Sequence, residues 1–279
     1  MNREEAKAEF RNRLKDWVSG LARHVSADDD QWTIKGFIDV YRNVYTISAD
    51  TKIVSKILEI HIFPKILEFA ETNSFRLVLT ERQNYYPDIS FVSETEPDLK
   101  FALDLKTTYR LHENPEFCNG FTLGSHGEYF VNRQSRKNIQ FPYAQYAGHF
   151  CLGAICSRTP ADQSDQTRMR KLDELRSIVS VVRDFLFFVC EKWEIASDRR
   201  GSGNTANIGS INRIEDTVNG NGMFKHLGER WFDEYWMNYG KITLPESGKK
   251  ITRLADYLVY RGQDPALVNP RASPRRRKQ

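Results

Sequence analysis

Apolar residues return every three or four positions through residues 2–23, where Phe10, Leu14, Trp17, Val18 and Leu21 share one side of a helical wheel, so an amphipathic helix is expected there. The polar stretch SADDDQ breaks that pattern. Asp50 and Thr51 then read as a cap in front of a second helix carrying Ile53, Ile57, Ile60 and Leu67, with Pro64 expected to kink it or end its first part. From residue 76 the period shortens to two. RLVLT (76–80), DISFV (88–92) and FALDLKTT (101–108) are strand-like runs separated by turn-rich loops, as a meander requires. Beyond a loop at 115–120 the pattern predicts a helix near 143–153 and a buried strand in DFLFFVCEKW (184–193). A glycine-rich loop, GSGNTANIGS (201–210), and an aromatic helix over 229–239 with Trp231, Phe232, Tyr235 and Trp236 follow. The fold class is therefore mixed α/β, with a sheet near the middle of the chain flanked by helices.

Composition narrows the class. With 279 residues, 40% of them hydrophobic, the chain suits one large domain or one domain with a smaller appendage. No run approaches the roughly 18 apolar residues of a membrane span, and the opening MNREEAKAEF is too charged for a signal peptide, so a soluble, cytoplasmic protein is expected. Cys118, Cys151, Cys156 and Cys190 show neither a Cys-x-x-Cys pair nor matched histidine spacing, which argues against zinc and against a disulfide framework. They read as reduced thiols, mostly buried. The net charge of +4 owes everything to the last nine residues, RASPRRRKQ, which hold five cations; the other 270 residues come to −1. That Arg-rich tail, with three nearby prolines, reads as disordered, and either solubilises the chain end or adds non-specific affinity for phosphate.

The charged residues of FALDLKTT pose the chemical question. Acid-x-Lys occurs four times in the chain, so the triplet itself carries little. Strand alternation singles out Asp104 and Lys106, which share one face while Leu103 and Leu105 share the other; Asp98-Leu-Lys100, by contrast, lies in a polar turn. A salt bridge on a solvated sheet face would explain the pair. Asp88 opens a second explanation. If DISFV and FALDLK pair as a hairpin, Asp88 at the head of one strand meets Asp104 and Lys106 on the other. Two neighbouring carboxylates raise each other's pKa unless a cation sits between them, and oxygen ligands with open coordination favour Mg²⁺. A lysine beside such an ion can orient a water for attack on a phosphodiester. Glu59 lies beside Phe63 and Ile66 on the helical wheel and would point partly inward as a third carboxylate, although Lys56 offers it an ordinary surface partner.

GSGNTANIGS lacks the Walker lysine and the glycine spacing of a dinucleotide fold. A flexible turn is one reading. Base readout is the other: Gly201 and Gly203 allow close backbone approach, Asn204 matches adenine N6 and N7, and Thr205 matches a thymine methyl. ERQNYY (81–86) places Arg82, Gln83 and Asn84 in a second polar loop just before Asp88.

Taken together, the chain resembles the type II restriction endonucleases of the PD-(D/E)xK nuclease superfamily. The resemblance rests on DTKIVSKILEI, RQNYYPDISF, FALDLKTTY, FTLG, KNIQFPYAQYAGH, EKWEIASDRRGSGNTANIGSI and WMNY, in that order, and spans roughly residues 35–262. It implies a restriction-endonuclease-like core in which Asp88, Asp104 and Lys106 take the catalytic positions and Glu59 takes an additional helical carboxylate, so that Asp88, Asp104 and Glu59 are the expected metal ligands. It implies further that Gly201, Gly203, Asn204 and Thr205 read bases in the major groove, that Gln83 and Asn84 lie along the minor groove, and that Thr107 and Lys137 stand near the DNA backbone.

The same resemblance implies a homodimer on double-stranded DNA, Mg²⁺-dependent hydrolysis to blunt ends with 5′ phosphates, GATATC as the first candidate site, and a cognate DNA methyltransferase in a bacterial host, not as a bound subunit. Arg82, Tyr85 and Ala206 depart from the residues of a family member that reads that site, which leaves flanking preference open. Three segments are expected: an N-terminal helical extension (1–34), the catalytic and DNA-binding domain (35–262) and a basic tail (263–279). Two other readings stand beside this one, a repair or junction nuclease of the same fold and a sequence-specific DNA-binding protein that does not cut.

Overall fold

The structure is a computed structural model describing residues 2–80, 82, 85–201, 206–244 and 248–269. The N-terminal half runs α1 (Arg3–Val18), α2 (Leu21–Val25), β1 (Gly36–Ile38), β2 (Asn43–Thr46), α3 (Thr51–Thr72), β3 (Phe75–Leu79), β4 (Ile89–Ser93), β5 (Lys100–Leu111), β6 (Asn114–Cys118), β7 (Thr122–Ser125) and α4 (Glu128–Val131). The remainder runs β8 (Tyr146–Arg158), β9 (Met169–Lys171), β10 (Val182–Glu191), α5 (Lys192–Ile195), β11 (Ala196–Arg200), β12 (Asn207–Ser210), α6 (Ile214–Val218), α7 (Glu229–Asn238) and α8 (Leu254–Tyr260).

The central sheet has the order β10-β8-β5-β4-β3, with β6 attached to β5. Only β5 and β8 run parallel; the other neighbours on that path are antiparallel. Side chains alternate between two cores. Phe101 and Leu103 of β5, with Phe150, Leu152 and Ala154 of β8, face a core capped by Phe10 and Leu14 of α1 and Leu58, Ile62 and Ile66 of α3. Ala102, Cys151, Ile155 and Phe188 face a second core closed by Phe232, Tyr235 and Trp236 of α7. Phe10 stacks on Phe101 with ring centroids 4.1 Å apart, so α1 is packed into the sheet. All four cysteines are free and buried.

Four expectations change, the first being the loop at 115–120, where Asn114–Cys118 forms β6 and pairs with β5. Residues 143–153 do not form a helix: a short 3₁₀ turn at Tyr143–Gln145 leads into β8. Because β8 is buried on both faces, its sequence YAGHFCLGAIC is nearly continuous in apolar residues and shows no period of two. Pro64 does not end α3, which runs from Thr51 to Thr72 behind an Asp50 cap. Pro64 is exposed and costs one helical hydrogen bond on the solvent side, while Ile62, Ile66 and Phe69 hold the helix to the sheet. The buried stripe of α3 also differs from the expected one. Of Ile53, Ile57, Ile60 and Leu67 only Ile57 is buried, the sheet being covered instead by Val54, Leu58, Ile62 and Ile66.

Two smaller sheets complete the fold. The order β11-β12-β7 includes the two strands that flank the glycine-rich loop, and β1-β2-β9 forms a separate sheet. Among the described residues no helix is long and apolar enough to cross a membrane.

Candidate active site

The β4–β5 hairpin fixes the site. Ile89 pairs with Leu103, so Asp88, one step before β4, lies beside Asp104. On β5 the alternation puts Leu103 and Leu105 against the α3 core and turns Asp104 and Lys106 to the other side. Asp88 Oδ2 accepts the Leu105 N–H at 2.7 Å and lies 3.7 Å from Lys106 Nζ; the same ammonium is 3.1 Å from Asp104 Oδ2. Asp88, Asp104 and Lys106 therefore converge around one cation. A fourth group was not singled out from the sequence. Lys192, the first residue of α5, places its ammonium 3.4 Å from the same Oδ2 of Asp104. Its signal was a lysine ending the apolar run DFLFFVCEKW, where a charge needs a partner.

Burial and charge separate the two aspartates. Burial would raise the Asp104 carboxyl, but Lys106 and Lys192 overcome it and hold the group down at about 2. Burial and the Asp104 charge push Asp88 up to about 6, against the opposing pull of Lys106 and the Leu105 N–H. Lys106 loses some basicity to burial, but Asp104 and Asp88 more than restore it and hold the ammonium above its ordinary value. In Lys192 the balance is reversed: burial outweighs the attraction of Asp104, and Lys106 adds repulsion, so its pKa is lowered.

Two adjoining clefts open on these groups. One, of about 430 Å³, is walled by Thr51, Ser55 and Glu59 of α3, Thr107 of β5 and Thr122 of β7, with Asp88 and Lys106 at its floor. The other, of about 290 Å³, runs from Asp88 and Asp104 past Tyr85 and Tyr129 to Lys137 and Asn207. A larger cavity of about 830 Å³ opens toward the C-terminal end of β5, beyond Tyr109, and contains none of the four charged groups.

Glu59 stands on the α3 wall, where its Oε2 pairs with Lys56, and it adds a small repulsion to Asp88. Its inward-facing and surface-pair readings thus both describe the residue. Thr107 lines the first cleft, and Lys137 lines the second while paired with Glu128 at 2.8 Å. Gly201 donates its N–H to the Asn207 carbonyl at 2.9 Å and closes the base of the hairpin; a Cβ there would lie 3.0 Å from the Ile208 carbonyl oxygen. Gly203, Asn204, Thr205, Gln83 and Asn84 lie outside the described residues.

Among the described residues no three acidic, histidine or cysteine side chains gather closely enough to cage a metal ion. The donor set still fits a hard divalent cation, because Asp88 and Asp104 offer two carboxylates on a cleft open to water and substrate. Both lysines approach Oδ2 of Asp104, and the Leu105 N–H takes Oδ2 of Asp88. Asp88 and Asp104 are the residues that would hold such an ion.

The sequence profile of the family "Restriction endonuclease EcoRV" matches residues 28–262. The type II restriction enzyme EcoRV of Escherichia coli is 33% identical to the chain over 248 residues, covering 88% of this chain and 98% of that protein. A match of this extent, on a mixed sheet flanked by helices and carrying Asp88, Asp104 and Lys106 at one cleft, shows that the chain belongs to the EcoRV family of type II restriction endonucleases, which are site-specific deoxyribonucleases.

Proposed function

We propose that the enzyme hydrolyses double-stranded DNA at a short palindrome, with GATATC as the first candidate, using Mg²⁺ and leaving blunt ends with 5′ phosphates. The observation that carries this reading is the convergence of two carboxylates on Lys106, all three lining one open cleft. Asp88 and Asp104 hold the metal and Glu59 assists from the cleft wall. When bound, the metal lowers the pKa of an attacking water and offsets charge developing on phosphorus. Lys106 Nζ orients that water and faces the scissile phosphate. The water oxygen gives up a proton to solvent and bonds to phosphorus as the P–O3′ bond breaks and O3′ takes up a proton from solvent, so the phosphate stays on the 5′ end.

Residues 35–262 form the catalytic and DNA-binding domain, onto which the helical segment 1–34 packs; 263–279 is a basic tail. Gly201, Gly203, Asn204 and Thr205 read the major groove, Gln83 and Asn84 follow the minor groove, and Thr107 and Lys137 contact backbone phosphates. A palindromic site calls for a two-fold dimer. The separate sheet β1-β2-β9 supports one, since Phe37, Ile38, Val40, Tyr41 and Met169 are all more than half exposed there, an apolar surface suited to a second copy. Val40→Asp with Tyr41→Asp should convert a dimer to a monomer in sedimentation analysis and abolish concerted double-strand cutting. A double variant that still sediments as a dimer would place the interface elsewhere.

Competition separates this function from a junction nuclease. With a GATATC duplex and a four-way junction mixed in equal amounts, the duplex should be consumed first. Preference for the junction would reverse the assignment.

A further inference from the structure

Lys192 is built into the site more firmly than a neutralising surface charge would be. Its residue exposure is 5%, its ammonium lies 3.4 Å from Asp104 Oδ2, and the same ammonium sits 3.7 Å from the centroid of the Tyr86 ring. Gly124 leaves space for it: a Cβ at that position would lie 3.1 Å from Lys192 Nζ and 3.4 Å from the Tyr129 hydroxyl. The flanking backbone is tied down from the opposite side. Glu191 pairs with Lys7 of α1 at 3.2 Å and with Arg11 at 3.4 Å, Glu194 pairs with Arg11 at 3.4 Å, and the Glu191 N–H donates to Glu194 Oε2 at 2.8 Å. A buried lysine held at its tip, between neighbours anchored to α1, is confined beside Asp104, whereas Lys106 lines both clefts and faces Asp88 as well.

We propose that Lys192 is a positioning residue: it keeps the Oδ2 atom of Asp104 occupied and the buried carboxylate partly neutralised, which frees Lys106 to leave Asp104 and act on water and phosphate. The two lysines share one oxygen, so one of them is available for the reaction only because the other remains. Without Lys192, Lys106 would be the sole cation on a buried carboxylate and would be held there. Loss of the Lys192 charge also makes the site more negative, so a divalent cation should bind more tightly even as the reaction slows. This inference rests on the metal-dependent nuclease reading above, and the opposite directions of the two effects distinguish it from simple loss of structure.

The test compares the full-length wild-type protein with Lys192→Met, which keeps most of the side-chain volume. Single-turnover cleavage of a cognate duplex across a Mg²⁺ titration gives the maximal rate and the half-saturating concentration, and Mn²⁺ binding to the DNA-free protein is followed by electron paramagnetic resonance. The maximal rate should fall roughly tenfold or more, while half-saturating Mg²⁺ falls at least about threefold and Mn²⁺ binding tightens in step. Rate and metal affinity falling together would mean that Lys192 only supports the fold, and an unchanged rate would mean that Lys106 needs no release; either overturns the proposal. If thermal unfolding in EDTA shows that Lys192→Met does not fold, the same readings on Lys192→Gln decide. A wild-type protein that neither binds Mn²⁺ nor cuts would refute the nuclease reading itself.

Discussion

Asp104→Asn should lower the single-turnover cleavage rate at least about a thousandfold, because it removes a proposed metal ligand and the carboxylate on which both lysines converge. It should also destabilise the protein. Asp104 is 4% exposed, and without its charge Lys106 and Lys192 face each other with no carboxylate between them. Breaking a buried pair of this kind costs about 3–5 kcal/mol. The melting temperature in EDTA should fall accordingly, and the kinetics must be read well below it. Wild-type cleavage by a folded Asp104→Asn protein would remove this residue from the mechanism.

Asp88→Asn should abolish cleavage to a similar extent yet shift stability the other way. The Asp88 carboxyl titrates at about 6 in the fold, above its ordinary value of 3.8, so the folded state holds this proton more tightly than the unfolded chain does. The stability it confers is complete below the unfolded value and is lost as pH rises through about 6, leaving the metal-free enzyme at pH 8 with an unfavourable charge. Discounted for the 36% exposure of the side chain, the effect is on the order of 1 kcal/mol. Asparagine keeps an acceptor for the Leu105 N–H and carries no charge. The variant should melt roughly 2–3 °C above wild type in EDTA at pH 8, with the difference disappearing below pH 4. In the metal-free wild-type enzyme Asp88 takes up its proton below about pH 6, so the half-saturating Mg²⁺ concentration should rise there. A variant that melts lower than wild type at pH 8 would show that the Asp88 charge stabilises the fold.

Part of this site is legible in the sequence because it depends on strand register. Period-two alternation in FALDLKTT put Asp104 and Lys106 on one face, and hairpin pairing with DISFV brought in Asp88; both depend on local register, which sequence encodes directly. Lys192 depends on tertiary packing. It comes from the end of a strand two places away in the sheet, and only the folded order β10-β8-β5 brings it to Asp104. β8 was hidden for a related reason, since burial on both faces removes the alternation that marks a strand. On α3 two apolar stripes compete, and the sheet beneath decides that Val54, Leu58 and Ile62 are covered while Ile60 stays 66% exposed. The base-reading assignments at Gly203, Asn204 and Thr205 rest on side-chain chemistry and on the resemblance, and these residues lie outside the described ones.

The proposed function is metal-dependent cleavage at one palindrome by Asp88, Asp104 and Lys106. Its most direct test is to digest a sequenced plasmid with the purified protein, with Mg²⁺ or with EDTA, and to sequence the resulting ends. Blunt ends with 5′ phosphates at a single palindrome, seen only with Mg²⁺, are the predicted result, and GATATC at the break would carry the base-reading assignment with it. DNA that is bound but left intact under every metal condition would contradict the account and identify a binding protein that does not cut.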